Sequence, residues 1–304
     1  VTPAYLALSQ TGELTLRART ARERLRCCRL CPRGCGVDRL AGTDGARCRT
    51  GDQAVVDGFG AHFGEEDCLR GTRGSGTVFF SRCNLGCVFC QNWPISHGGR
   101  GQPVEPGDIA VMMLTLQEQG CHNINLVSPS HVAAPILAAI AIAAHAGLRL
   151  PIVYNSGGYD SVDTLRLFDG VVDIYMPDAK YGDTHTAERL SQGPGYVEAN
   201  RAAIREMHRQ VGDLVLNDDG IAERGLLVRH LVLPEDLAGS ARVFDFLATE
   251  ISRHTFVNVM GQYHPSHLAR VYPPLDRRVT VREVRQALAL ARQHGLRLPN
   301  ERRR

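Results

Sequence analysis

Lysine is nearly missing from this 304-residue chain: of its 35 lysine and arginine residues, only Lys180 is a lysine. Where charge alone is wanted the chain uses arginine. One compact three-donor ammonium therefore points to a position that a planar guanidinium cannot serve; chance retention of a surface lysine is the plainer alternative. Long apolar runs are missing too. The longest, 132–146, is broken by Pro135 and His145 and falls short of the ~20 residues a membrane span requires, so it reads as a buried helix. Strong charge of either sign is absent: the formal net charge is +3, too weak to argue for nucleic acid or an anionic membrane surface. Aromatics are sparse at 6% and form no stripe with the basic residues, which sets aside an RNA-binding module. The one basic run, Arg302-Arg303-Arg304, reads as a solvated end. The first 24 residues hold no secretory apolar core, and the expected compartment is the cytoplasm, where thiols stay reduced.

Against that background, ten cysteines need a reason. Disulfides are not expected in a reducing compartment, so seven thiols in two close-spaced groups point to metal or redox chemistry. The groups also mark the organisation. Residues 1–70 hold a short helical pattern at 20–26 and then cysteines among Gly, Pro and Arg. Such a segment has little core of its own and reads as a small metal-braced appendage. From 71 to 275 strands alternate with helices. Apolar, β-branched runs fall at 77–81, 123–127, 152–154, 171–175, 226–233 and 256–260. Helical patterns fall at 108–119, 132–146, 161–168, 196–211 and 241–252, several of them punctuated by Pro106, Gly120 and Gly147. Six strands with helices between them predict an α/β fold with a parallel sheet. Residues 276–304 form a last unit: a helix over 281–294, opened by a capping box of Thr280 and Glu283, and the basic tail.

Cys83-x3-Cys87-x2-Cys90 directly follows the first of these strands. Three thiolates on one short loop can hold three irons of a [4Fe–4S] cubane and leave the fourth iron open to a small-molecule ligand. A structural zinc takes four ligands, commonly from paired Cys-x2-Cys units, and this spacing supplies three; three unrelated thiols are the remaining alternative. The N-terminal group, Cys28-x2-Cys31-x3-Cys35-x12-Cys48, offers four. Zinc would staple a loop-rich stretch without redox chemistry, and on that ground it is the favoured reading. A second iron–sulfur cluster that relays electrons or binds substrate fits the same spacing, and four ordinary thiols are the third reading. Cys27 is a spare, and Cys68 and Cys121 read as buried or incidental.

Further candidates lie at strand ends, where parallel sheets bind their ligands. Asp178 and Lys180 follow the fourth strand; a surface ion pair is the alternative to a site. Asn155 and Ser156 precede Gly157-Gly158, which lets backbone approach a ligand or simply turns the chain. Arg229 and His230 are adjacent on the fifth strand, so only one of them faces inward. A buried arginine needs an anion, whether in a ligand or in a structural pair. His264 follows the last strand as a ligand contact or a structural histidine. His62, Glu65 and Glu66 are either polar site residues or a local turn with a helix cap.

The run Cys83-x3-Cys87-x-Phe89-Cys90 resembles the signature of the radical S-adenosylmethionine superfamily. Segments 62–66, 74–85, 123–131 and 225–234 are similar to a subfamily usually described as related to the pyruvate formate-lyase activating enzyme, and the likeness runs from about residue 28 to about residue 265. The resemblance implies a partial (β/α)6 barrel in which a [4Fe–4S] cluster cleaves S-adenosylmethionine reductively to a 5′-deoxyadenosyl radical that abstracts hydrogen. It implies that Phe89 lies near the adenine and that Met176, Asp178 and Lys180 match a stretch in which Lys contacts the cofactor and Asp helps hold it or a cation. It implies cofactor contacts for Arg229 and His264, a flavodoxin- or ferredoxin-type electron donor, and a glycyl radical enzyme or another protein as partner. One departure stands out: where the superfamily often has Gly-Gly-Glu, this chain has Val127-Ser-Pro-Ser-His131, so Ser128 or backbone carbonyls would have to serve the cofactor's amine. A reading from another class is a non-catalytic iron–sulfur electron carrier or sensor, which would need the cysteines but not Asp178, Lys180, Arg229 or His264.

Overall fold

The computed structural model describes residues 2–299; the basic run Arg302-Arg303-Arg304 lies outside the described residues. Nine strands among these residues form one sheet: β1 (Ala54–His62), β2 (Ser75–Phe80), β3 (Gln102–Val104), β4 (Ile124–Val127), β5 (Ile152–Ser156), β6 (Ile174–Pro177), β7 (Val215–Leu216), β8 (Ala222–Leu231) and β9 (Phe256–Met260). Their order is β3-β1-β2-β4-β5-β6-β8-β7, with β9 also on β8. β2, β4, β5, β6, β8 and β9 run parallel. They are the six strands expected from the β-branched runs, and they make an α/β fold with a parallel sheet. The fourth begins later than its apolar run suggests, because Val171 and Val172 still belong to the turn that Gly170 opens at φ +72°.

The helices between the strands pack on the outer face. Ala133–His145 buries ten of its residues, more than one sheet face can cover. Its far side is covered by the helix Glu13–Glu23, whose Leu14, Ala18 and Ala21 are buried. The N-terminal segment therefore has its apolar residues in the main core, together with Tyr5, Leu25 and Leu30. β1 lies within the segment 1–70 yet pairs antiparallel with β2 along its length. No pattern in the sequence marked β1, since Gly58 and Gly60 dilute its β signal. The last helix, Val281–Gln293, starts with the expected reciprocal cap between Thr280 and Glu283. No helix among the described residues is long and apolar enough to cross a membrane.

The inner face follows from strand parity. Val153 and Asn155 on β5 stand beside Ile174 and Met176 on β6; Asp178 is bridged to Arg229 on β8, and Arg229 to Asn258 on β9. Deep layers are apolar, with Val153, Ile174, Met176, Leu227 and Phe256 in one cluster. The layer at the C-terminal ends is polar. Its free edge, beyond β9, meets the turn after β1, where Asn258 Nδ2 donates to Glu66 Oε1 at 2.9 Å.

Candidate active site

The loop carrying Cys83, Cys87 and Cys90 leaves β2 at the C-terminal end of the parallel strands. Two backbone bonds pin it to the last turn of the helix Thr184–Ser191: Gly86 N donates to the Ser191 carbonyl and Val88 N to that of Leu190, each at 2.8 Å. Cys87 is buried and the other two are partly so. Each sulfur meets a polar group. Leu85 N donates to Cys83 Sγ at 3.4 Å, Ser191 Oγ to Cys87 Sγ at 3.0 Å, and Cys90 Sγ lies 3.1 Å from Ser96 Oγ. Burial pushes the Cys83 thiol up to about 12, and the neighbouring Cys87 and Cys90 add to the effect. Burial raises Cys87 as well, against the pull of Lys180. Desolvated thiols crowded together stay protonated unless positive charge is supplied, which is what metal ligation does.

Lys180 stands beside these sulfurs. Its Nζ donates to Asp178 Oδ2 at 2.5 Å; Arg229 Nε donates to Asp178 Oδ1 at 2.9 Å and Arg229 Nη2 to Asn155 Oδ1 at 2.7 Å. The side chains of Lys180, Asp178 and Arg229 are 18%, 14% and 19% exposed, so this is not a solvated surface pair. Burial by itself would raise the Asp178 carboxyl, but Arg229 and Lys180 outweigh it and hold the group below the usual carboxylate range. Burial would likewise lower the Lys180 ammonium; Asp178 and the nearby Cys87 reverse that and raise it. Arg229, and not His230, is the inward member of its dipeptide. His230 is buried on the outer face, with Nδ1 2.7 Å from the Ala179 carbonyl and Nε2 3.0 Å from Ser240 Oγ.

The remaining expected residues divide. Asn155 is in the network. Ser156 faces the other side of β5, where its Oγ donates to the buried Asp160 at 2.6 Å; adjacent strand residues cannot share a face. The Gly157-Gly158 turn lets the chain approach backbone: a Cβ on Gly158, at φ +72°, would stand 2.0 Å from the Asp178 carbonyl oxygen. Phe89 is buried and edge-on to Tyr263, ring centroids 6.0 Å apart. His264 comes to the cysteine loop, with Nδ1 3.3 Å from Gln91 Nε2. Ser128 adopts φ +63° and its N–H donates to the Asn155 carbonyl at 2.9 Å. Glu65 and Glu66 join the site: with Arg229, Asn258, Met260 and Gln262 they line a cavity of about 760 Å³. Burial raises the Glu65 carboxyl, opposed by Arg229 and by His62, whose Nδ1 is 3.2 Å away.

Several residues went unnoticed in the sequence. Tyr196 accepts from Lys180 N and reaches the carbonyls of Gly157 and Asp178, and Asn200 Nδ2 donates to the carbonyls of Gly158 and Asp178 at 2.9 Å. These two brace the turns that aim Asp178 and Lys180. Their spacing of four on a helix, both facing inward, was the available signal. Ser191, Asn84 and Asn258 had none.

The donor set fits the groups the cysteine motif implies. Asn125 is fully buried on the inner face with both amide atoms unpaired, and Glu66 Oε2 is another buried polar atom without a partner; such groups are ordinarily satisfied, so a polar ligand here has acceptors and donors waiting. Three thiolates on one loop suit a cubane, which spreads its thiolates over separate irons. The N-terminal thiols also lie near one another: Cys31 and Cys35 each stand within electrostatic reach of Cys28 and Cys48. Cys27 is exposed, and Cys68 and Cys121 are buried.

Comparison with known proteins agrees with this geometry. Residues 77–218 match the model of the radical SAM superfamily. An uncharacterized protein of Methanocaldococcus jannaschii is 31% identical over 291 residues, covering 93% of this chain and 79% of its own length. A radical SAM methyltransferase from Sphaerobacter thermophilus shares the fold with a TM-score of 0.51 at 15% identity, over 73% of this chain and 64% of that one.

Proposed function

The chain belongs to the radical SAM superfamily, and from that premise we propose that it is an enzyme in which Cys83, Cys87 and Cys90 hold a [4Fe–4S] cluster and the β5, β6 and β8 ends hold S-adenosylmethionine. Bound together, these groups supply a 5′-deoxyadenosyl radical that abstracts a hydrogen atom from the substrate. The observation that carries the reading is the convergence of the three-thiol loop with Lys180, Asp178, Arg229 and Asn155 at one end of the parallel strands.

The roles of the chain's own residues follow from donor counts. Asp178 takes one of the three Lys180 donors and leaves two for acceptor groups of the cofactor. It also anchors Arg229, so both cations are held in place before a ligand arrives, and little ordering cost remains at binding. Tyr196 and Asn200 keep the two turns from shifting. Phe89 offers an apolar face, and Ser128 the polar edge that replaces the missing Gly-Gly-Glu. The cavity at Glu65 and Glu66 is where the substrate group would enter.

The finer proposal is that the hydrogen comes from a glycine of a partner protein, as the likeness of 176–180 to the activases suggests, with a flavodoxin- or ferredoxin-type protein as reductant. The test is anaerobic reduction with S-adenosylmethionine and assay for 5′-deoxyadenosine. Formation that is lost in Cys83→Ala, Cys87→Ala and Cys90→Ala supports the class. A full iron complement with no cleavage moves the assignment to an electron carrier. A glycyl radical signal on adding a candidate glycyl radical enzyme, absent with Lys180→Ala, supports the finer step.

A further inference from the structure

Arg39 is 2% exposed, yet no carboxylate meets it. Its Nε donates to the Thr50 carbonyl at 2.7 Å, Nη2 to that of Gly51 at 2.8 Å, and Nη1 to Cys28 Sγ at 3.5 Å. A buried guanidinium is costly without an anion, and of these three partners only the sulfur can become one. The Cys28 sulfur is also the centre of a group. Cys35 Sγ points at the Cys28 carbonyl, 3.9 Å away, and Cys31 and Cys35 both feel Cys28 and Cys48. A tetrathiolate metal centre carries net negative charge and would neutralise Arg39.

The second observation is where this group lies. Cys83 Sγ is 3.8 Å from Asn84 Oδ1, and the Cys31 sulfur is within hydrogen-bonding reach of the same side chain. Asn84 is 3% exposed and held by its Nδ2 bond to the Tyr159 carbonyl at 2.6 Å. Arg33, seated over the Tyr159 ring, donates to the Asn84 carbonyl at 2.9 Å and stands near both Cys31 and Cys83. One fixed amide thus separates the two thiol groups.

We propose that Cys28, Cys31, Cys35 and Cys48 hold a second, redox-active iron–sulfur cluster, joined to the cluster at Cys83, Cys87 and Cys90 through the Asn84 side chain. This rests on the reading of the latter three as cluster ligands. One electron leaves a low-potential one-electron donor protein, reduces the outer cluster and passes inward; no covalent bond or proton changes in the transfer. The structural-zinc reading gives way to this one, because a redox-inert ion needs no shared bridge to the inner thiols.

The test begins with the unaltered chain, purified anaerobically. Roughly eight iron and eight sulfide per chain are expected if both centres are cubanes, and the electron paramagnetic resonance spectrum of the fully reduced protein should show two interacting spins. Cys31→Ser with Cys48→Ser should halve the iron and collapse the spectrum to one isolated signal. Cys83→Ala with Cys87→Ala and Cys90→Ala should leave the other half. Four iron and one zinc per chain, or four iron alone, overturns the proposal; eight iron with no spin interaction overturns the link through Asn84. Failure to cleave S-adenosylmethionine while eight coupled irons are present would count against the enzymatic reading and leave this one standing.

Discussion

The two thiol groups of this chain lie one amide apart and are built differently. Cys83, Cys87 and Cys90 sit on a loop clamped from outside, with a hydroxyl or amide at each sulfur and a cation, Lys180, beside them. Cys28, Cys31, Cys35 and Cys48 sit on turns with little regular structure, and their cation, Arg39, is buried inside the group. On the proposed reading, the inner group, with three sulfurs, would leave a ligand position open, and the outer, with four, would close its centre. An open centre needs an independent frame to hold its ligand, which β5, β6 and β8 provide. A closed one is itself the frame.

That contrast can be broken experimentally. The largest effect is expected at the inner sulfurs: replacing any one of Cys83, Cys87 or Cys90 by Ala should reduce 5′-deoxyadenosine formation to background, whereas Cys27→Ser, at an exposed thiol, should leave it unchanged. Next comes Asp178→Asn. It leaves two mostly buried cations without their carboxylate and should cost about 3–5 kcal/mol, read by denaturant unfolding, with S-adenosylmethionine affinity falling in parallel. Gly158→Ala places a Cβ against the Asp178 carbonyl at a left-handed backbone position and should cost about 2 kcal/mol or more; unchanged stability would mean that the turn is free to move.

A pH effect of similar size belongs to His131. Burial, with Arg39 adding, lowers its imidazole from 6.5 to about 3, and Nε2 lies 2.9 Å from the Ser81 carbonyl at the root of the cysteine loop. The folded state keeps this ring neutral while the unfolded chain takes up a proton below 6.5. Stability is therefore full above about 6.5 and declines as pH falls towards 3, by several kcal/mol in order of magnitude. His131→Asn should flatten that limb of the stability curve. The smallest effect is Ser191→Ala, which removes the donor to Cys87 Sγ and the partner of Tyr181 at 2.6 Å; about 1 kcal/mol is expected.

Much of the frame was legible in the chain. The six parallel strands appear as β-branched runs because a strand covered on both faces has no alternation to hide it. Lys180 announced itself by being the one lysine, and its partner Asp178 by lying two residues away, just past the end of the same strand. Ser156 could not be separated from Asn155 without the strand's register. β1 escaped notice because its glycines carry no side-chain pattern, and Tyr196 and Asn200 because a buried polar pair on a helix looks like any other polar pair until its partners, three backbone carbonyls, are in view.

By itself, then, the sequence determined the order of the six parallel strands, the cysteine spacings and the kinds of side chain available, since these depend on local preference and on composition. The tertiary structure decided which residues meet: that Arg229 and not His230 faces inward, that Glu66 reaches Asn258 across the open edge of the sheet, and that Asn84 stands between two thiol groups 35 residues apart at their nearest, Cys48 and Cys83. The physical reason is that burial, charge pairing and close approach arise only when segments distant in sequence are packed together, and no local pattern encodes which ones those will be.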